Sequence, residues 1–368
     1  MRIGVPKEIK SDEHRVGLTP AAVHELVRTG HGVLVETEAG AGAGFDDADF
    51  AAAGATVVGS AEALFAQSEL LVKIKEPQRS ELALLRRDHV LFGYLHLAAD
   101  PELAEALLRS GVTAIAYETV TSAAGGLPLL APMSRIAGRM AVQAGAHHLE
   151  RTSGGRGVLL GGVPGVAAAR VTVIGAGVAG TGAVEAAVGF RADVTVIDND
   201  LDKLERLAAR FENGIRTLYS TADAIARSVT ESSLVVGTVL IPGRSAPKLV
   251  TAEMIAAMPR GAVAADVAID QGGCFETSRP TTHADPVYSV GGVLHYCVTN
   301  IPAAVPRTAT QALVNVTLPY VRKLADFGFR AAVERDPHLA NGLNVQGGEL
   351  RNEAVAADLD ARRAGGGR

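Results

Sequence analysis

The stretch from Val171 to Asp198, VTVIGAGVAGTGAVEAAVGFRADVTVID, constrains this chain more than any other. Val171 to Ile174 are apolar and mostly β-branched, as in a buried strand. Gly175-Ala176-Gly177-Val178-Ala179-Gly180 reads as a tight turn, Thr181 to Phe190 as a helix leaving it, and Val194 to Ile197 as a second strand ending on an acid, Asp198. Gly175 permits the turn, Gly177 lets backbone N–H groups approach a diphosphate, and Gly180 lets helix and strand pack closely. A diphosphate would then sit on the positive end of the helix. Asp198 falls where a carboxylate accepts hydrogen bonds from ribose hydroxyls, and its charge repels a 2′-phosphate, which favours NAD over NADP. Glycine-rich turns alone are common. Here the strand before, the helix after and the acid at the right distance agree, so a dinucleotide and redox chemistry are expected.

With 368 residues, and roughly 150 per domain, two domains are expected. The 41 glycines fit many strand-to-helix turns rather than disorder, because 48% of the residues are hydrophobic. A net charge of −5 without a dense basic run gives no reason to expect nucleic acid. Cys274 and Cys297 are the only cysteines, which fits a reducing compartment. The start MRIGVPKE reads as a strand followed by charge, not a signal peptide, and no apolar stretch is long enough to span a bilayer. A cytoplasmic protein without a membrane partner is expected.

From Arg2 to about Ala116 short apolar runs alternate with helical ones. Strands are expected at Arg2 to Val5, Val33 to Glu36, Thr56 to Val58, Leu70 to Ile74, Val90 to Tyr94 and Thr113 to Ala116, with helices at Pro20 to Arg28, Ala61 to Ala66 and Pro101 to Arg109. Such alternation implies a parallel sheet. Pro132 to Arg151 reads as one long helix with Ser134 in its first turn, leading through a glycine-rich stretch into the turn described above. Further strands are expected at Leu234 to Val239, Ala262 to Ala268 and Leu294 to Val298. Thr308 to Gly328 is a helical window that Pro319 should bend or split, and the tail from Glu349 to Arg368 is expected to fray.

Three polar residues of the first half fall beside strand ends. Arg15 lies in a polar loop after the first strand, where its guanidinium could hold a carboxylate through two hydrogen bonds. Lys75 closes the strand beginning at Leu70, and His96 closes the one beginning at Val90. Taken singly, a surface arginine, a snorkelling lysine and a satisfied histidine are commoner than functional ones; three at one edge raise the functional reading. Later, Asp270 ends a strand beside Gly272-Gly273, and Asn300 is similarly placed; catalysis and a turn carboxylate are equally open for Asp270. Asp266 falls earlier in its strand and reads as pairing with a buried neighbour, while His147 and His148 look structural.

The segments MRIGVPKEIKSDEHRVGLTP, VKIKEP, GYLHLA, APMSRIAGRMA, GGVPGV, VTVIGAGVAG, VLIPGRSAPKLV, AIDQGGCFETSRPTTH and YCVTNIPAAVPRTAT, in that order, resemble the NAD-dependent L-alanine dehydrogenases from Met1 to about Gly328. The resemblance implies reversible oxidative deamination of L-alanine to pyruvate and ammonium. It implies an α/β fold of two Rossmann-like, doubly wound parallel-sheet domains separated by a cleft. The NAD-binding domain, 128–306, would be inserted into a discontinuous substrate domain, 1–127 with 307–368.

Residue by residue, it places Arg15 and Lys75 on the substrate carboxylate and carbonyl oxygen, His96 and Asp270 as the two acid/base residues, and Met133 and Asn300 against nicotinamide and pyruvate. NAD contacts fall on Ser134, Val178, Ala179, Asp198, Lys203, Ser220, Val239, Leu240, Val267, Arg279, Val298 and Ile301. The chemistry agrees. Oxidation at the α-carbon needs an anchored carboxylate, which Arg15 and Lys75 would supply, and imine hydrolysis needs a proton shuttle, to which the His96 imidazole is suited. Lys323 and Phe327 occupy positions where some relatives carry a metal-binding Glu and His, so no metal is expected. A homohexamer is implied. Competing readings are the NAD-binding subunit of a proton-translocating transhydrogenase, a lysine-linked amino-acid dehydrogenase and a catalytically silent NAD sensor.

Overall fold

The computed structural model describes residues 1–239, 246–357 and 359. Leu240 and most of the tail past 357 lie outside the described residues. The first six strands are β1 Arg2–Val5, β2 Gly32–Glu36, β3 Thr56–Val58, β4 Leu70–Val72, β5 Val90–Gly93 and β6 Thr113–Ala116. Seven more follow: β7 Arg170–Ile174, β8 Asp193–Asp198, β9 Ile215–Tyr219, β10 Leu234–Gly237, β11 Val263–Asp266, β12 Val287–Val290 and β13 Val293–Tyr296. β14 Leu343–Gln346 and β15 Glu349–Leu350 come last.

The chain divides into two compact units, one of Met1–Pro132 with the segment from Val305 onward, the other Met133–Ala304. In the first, the strands run β15-β14-β6-β5-β4-β1-β2-β3. β1 to β6 are parallel, in the doubly wound order in which the first and fourth strands meet at a topological switch point. β4, β5 and β6 are buried along their whole length, which explains their continuous apolar composition. The helix Pro20–Arg28 starts and stops where expected: Thr19 caps it by accepting from the Ala22 N–H, and proline sits in its first turn.

The expectation of an all-parallel sheet is corrected at its edge, because β14 is antiparallel to β6 and β15 antiparallel to β14. The same segment corrects the frayed tail for its described residues, 349–357 and 359. Glu349–Leu350 is strand, and Val355 and Leu359 are buried with Leu103, Leu107 and Val345 in the first unit's core. Few apolar residues stand there, but they sit where one face of a short helix reaches that core.

In the second unit the order is β12-β13-β11-β10-β7-β8-β9. All pairs are parallel except β12 with β13, and the switch point lies between β7 and β10. The helix after the glycine turn begins at Val178, three residues before the expected Thr181, so Val178, Ala179 and Gly180 form its first turn. β4 and β5 end at Val72 and Gly93, so Lys75 and His96 stand in the following loops rather than closing strands.

The long helix near the end runs Pro306–Arg335 and is not split at Pro319. The break comes at Gly328, with φ 70° and ψ 160°, a conformation essentially confined to glycine. Proline keeps a helical φ and forfeits one hydrogen bond, whereas only a residue without Cβ can turn the chain so sharply. Beside the break, Lys323 pairs with Asp336 at 2.6 Å and the Arg335 guanidinium lies over the Phe327 ring. No helix among the described residues is long and apolar enough to cross a membrane.

Candidate active site

In the first unit the loops leaving β1, β4, β5 and β6 carry a charged network. Arg15 is 2% exposed and bound by Glu13 through two parallel contacts, Nε donating to Oε1 at 2.6 Å and Nη2 donating to Oε2. The second carboxylate of the loop, Glu8, accepts the Ile74 N–H at 2.6 Å and the Lys75 N–H at 3.3 Å. Lys73 is fully buried between Glu8 at 3.2 Å and Glu81 at 2.7 Å. Burial opposes its charge, but the two carboxylates outweigh it and hold the ammonium above its ordinary pKa. Burial pushes the Glu8 carboxyl up, against the pull of Lys73.

Lys75 is half-buried, and its pKa is lowered, first by burial and then by repulsion from Arg15 and Lys10. His96 is exposed and left-handed, with φ 50° and ψ 35°. That backbone strain costs about 1–2 kcal/mol in an L-residue and is held by Glu118, which accepts the Leu95 and His96 N–H groups, the latter at 2.6 Å. The His96 ring stacks on Tyr94, with centroids 5.8 Å apart, and the Tyr94 hydroxyl donates to the Leu129 carbonyl. Arg15 bears electrostatically on both Lys75 and Tyr94. The loops leaving β1, β4 and β5 therefore place Arg15, Lys75 and His96 at the same carboxyl edge of the sheet, with Arg15 acting on Lys75 and on Tyr94, the ring that His96 stacks against.

The second unit uses backbone instead. Gly175 has φ 105°, and a Cβ there would meet Thr238 Oγ1 at 2.6 Å; a Cβ on Gly180 would lie 1.8 Å from the Gly175 carbonyl oxygen. Around Gly177 there is open space: nothing lies within 4 Å of where its Cβ would be. No side chain caps the helix that begins after Gly177, so its first N–H groups remain available to an anion. This cradle fits a dinucleotide diphosphate. Asp198 accepts the Ala176 N–H at 2.6 Å and the Asp200 N–H at 2.9 Å, so it braces the turn and stands beside it.

Other expected residues scatter around this edge. Ser220 donates its N–H to the Asp198 carbonyl, Lys203 pairs with Asp200 at 3.1 Å, and Val267 donates its N–H to the Gly237 carbonyl. Val178 is exposed, Ala179, Ser134 and Val239 are partly exposed, and the Arg279 guanidinium lies 4.1 Å from the centroid of the Tyr288 ring. Met133, Val298 and Ile301 are buried, the last two in the core of this unit. Asn300 is left-handed, with φ 55°. Asp270 is exposed on the short turn Ile269–Gln271.

Asp266 does more than pair with one neighbour. It accepts the N–H groups of Ala268, Cys274 and Phe275 and the Ser278 hydroxyl, closing the loop that carries Asp270. Burial raises its pKa against those four bonds.

Sequence reasoning passed over Glu8, Lys73, Glu81, Glu118 and Thr238. The spacing of Lys73 and Lys75 did not separate them, because β4 ends at Val72 and the strand alternation does not reach either residue. Thr238, whose hydroxyl donates to the Ile174 and Gly175 carbonyls at 2.9 and 3.1 Å, carries no local signal.

Comparison with known proteins agrees with this architecture. The family model "Alanine dehydrogenase/PNT, N-terminal domain" matches residues 4–137 and its C-terminal counterpart residues 141–353. The alanine dehydrogenase of Halomonas elongata is 58% identical over 97% of this chain and 96% of its own length. A solved L-alanine dehydrogenase superposes with a TM-score of 0.95 at 53% identity, covering 98% of this chain and 99% of that one. A transhydrogenase from Sinorhizobium meliloti gives 0.85 at 25% identity, covering 95% and 100%. The chain belongs to the alanine dehydrogenase/PNT family.

Proposed function

We propose that this chain is an NAD-dependent L-alanine dehydrogenase, catalysing the reversible oxidative deamination of L-alanine to pyruvate and ammonium. The observation that carries the reading is the cluster of Arg15, Lys75 and His96 beside the β1/β4 switch point, the place where an open α/β sheet offers a ligand site. Dinucleotide binding alone is shared with the transhydrogenase, so it does not separate the two activities.

When bound, NAD supplies the hydride acceptor for the α-carbon of alanine and, as NADH, the donor in the reverse direction. The Gly175–Gly180 turn holds the diphosphate, and Asp198 takes the ribose hydroxyls and disfavours a 2′-phosphate. The Arg15 guanidinium, oriented by Glu13, pairs with the substrate carboxylate. The Lys75 ammonium donates to the oxygen of the keto acid. His96 moves protons at the substrate nitrogen and at the water that adds to the imine. Asp270, on a loop braced by Asp266, is the second acid/base residue of this reading. In the same reading Met133 and Asn300 line the nicotinamide and pyruvate positions, and Ser134, Lys203, Ser220, Val239, Val267, Arg279, Val298 and Ile301 are further cofactor contacts. A cytoplasmic homohexamer is part of the same reading, checked by sedimentation.

The test follows NADH absorbance with pyruvate and ammonium, in parallel with 2-oxoglutarate and lysine, and with NADPH in place of NADH. Oxidation of NADH only in the first mixture is expected. Activity only with lysine, or none with any keto acid despite NADH binding, would overturn the assignment.

A further inference from the structure

We propose that the buried network Glu8–Lys73–Glu81 is the device that positions Lys75, making these three positioning residues for the reaction. The inference rests on the reading that Lys75 holds the keto acid. Lys75 lies on a strap, Ile74 to Gln78, that joins β4 to the short helix Arg79–Leu82. Each end of this strap is held by a carboxylate. Glu8 Oε1 accepts the Ile74 and Lys75 N–H groups at 2.6 and 3.3 Å, and Glu81 Oε2 accepts the Gln78 N–H at 2.7 Å.

The other oxygen of each carboxylate faces one shared cation, since Lys73 Nζ lies 3.2 Å from Glu8 Oε2 and 2.7 Å from Glu81 Oε1. A single ammonium thus locks both clamps of the strap at once. Glu8 also belongs to the loop leaving β1, the loop that carries Glu13 and Arg15. A Cβ on Gly17 would meet the Val72 carbonyl oxygen at 2.3 Å, so this loop is pressed against the end of β4, and the Lys10–Glu76 ion pair ties it to the middle of the strap. The network therefore sets the separation of the Arg15 and Lys75 backbones.

Such precision matters because Lys75 is a point charge on a flexible stem, and a misplacement of about 1 Å costs up to about 10²-fold in rate. Only an acceptor at both oxygens fits the Glu8 position. A glutamine must turn its NH₂ toward either the Lys73 ammonium or the Ile74 N–H.

The experiment compares Glu8→Gln and Glu81→Gln, each releasing one end of the strap, alone and in a Lys75→Met background. Readouts are circular dichroism, the NADH Kd, and the pyruvate Kd of the enzyme–NADH complex without ammonium. Glu81→Gln leaves the neutral pair Glu8–Lys73 in place and keeps the test available where Glu8→Gln does not fold. Each single variant is expected to weaken pyruvate binding about 10-fold with the NADH Kd unchanged, and to have no further effect once Lys75 is methionine. Folded variants that bind pyruvate as the parent does, or that lose equally in both backgrounds, overturn the positioning role. Unchanged pyruvate binding and turnover in Lys75→Met alone would instead overturn the functional reading of Lys75.

Discussion

The two units share the order of their six parallel strands and the place of the switch point, yet they fill that point with opposite materials. Between β1 and β4 stand buried charges, with Arg15 on Glu13 and Lys73 between Glu8 and Glu81. Between β7 and β10 stands bare backbone, Gly175 to Gly180, clamped by the Thr238 hydroxyl. An anion can be bound by side-chain cations, which need buried counter-charges to hold them in place, or by a helix N-terminus, which needs side chains to be absent. The first solution is sensitive to charge and the second to volume.

This contrast is open to direct attack. The largest effect is expected at His96: His96→Ala should lower turnover about 10²–10⁴-fold while the NADH Kd, read by fluorescence, stays at the parent value. Retained turnover would remove His96 from the chemistry. Next comes a volume change in the other unit. Gly180→Ala places a Cβ 1.8 Å from the Gly175 carbonyl oxygen and 2.9 Å from Thr238 Oγ1, so the turn must shift. A stability loss of about 1–3 kcal/mol and weakening of NADH binding beyond about 10-fold are expected by calorimetry. Normal NADH affinity in this variant would show that the cradle tolerates bulk and would break the comparison.

Lys75 tests charge without volume. Its pKa lies below the ordinary 10.5, through burial first and then Arg15 and Lys10. The KM for pyruvate should therefore start to rise at a lower pH than an ordinary lysine would dictate, as the ammonium loses its proton. For stability the sign is fixed by linkage. The unfolded chain binds this proton more tightly than the folded one, so the charged side chain opposes folding, and the penalty fades as pH rises through the lowered value. Lys75→Met should accordingly raise Tm at neutral pH while raising the KM for pyruvate; a fall in Tm would mean that the ammonium is stabilised where it stands. The smallest effect on activity is expected from Gly328→Ala. A Cβ there meets nothing within 4 Å, so only the backbone strain counts, about 1–3 kcal/mol, with unchanged kinetics.

Much of the architecture was legible locally. β1, β3, β6 and the helix Pro20–Arg28 fall where their apolar runs and caps put them, and the strand-turn-helix-strand unit at Val171 needed no tertiary information. The failures have physical causes. β14 and β15 are added to the sheet late in the chain, and the pairing of β14 with β6, on which β15 then builds, depends on a partner more than 200 residues away. Pro319 looked like the breaker because local rules penalise proline, whereas the direction change was taken up where Gly328 could adopt it. Asp198 was legible as the acid that ends β8, but its bond to the Ala176 N–H was not.

The amino-acid order alone determined where glycine had to stand, which runs could be buried strands, and which polar residues would fall at strand ends, because each depends on sterics or burial within a few residues. Only the tertiary structure decided that Lys73 would sink between Glu8 and Glu81 while Lys75, two residues on, stayed half-exposed near Arg15. The reason is that the energy of a buried charge is set by counter-charges from the loop after β1 and from the helix after β4, which chain topology brings together and sequence separation conceals.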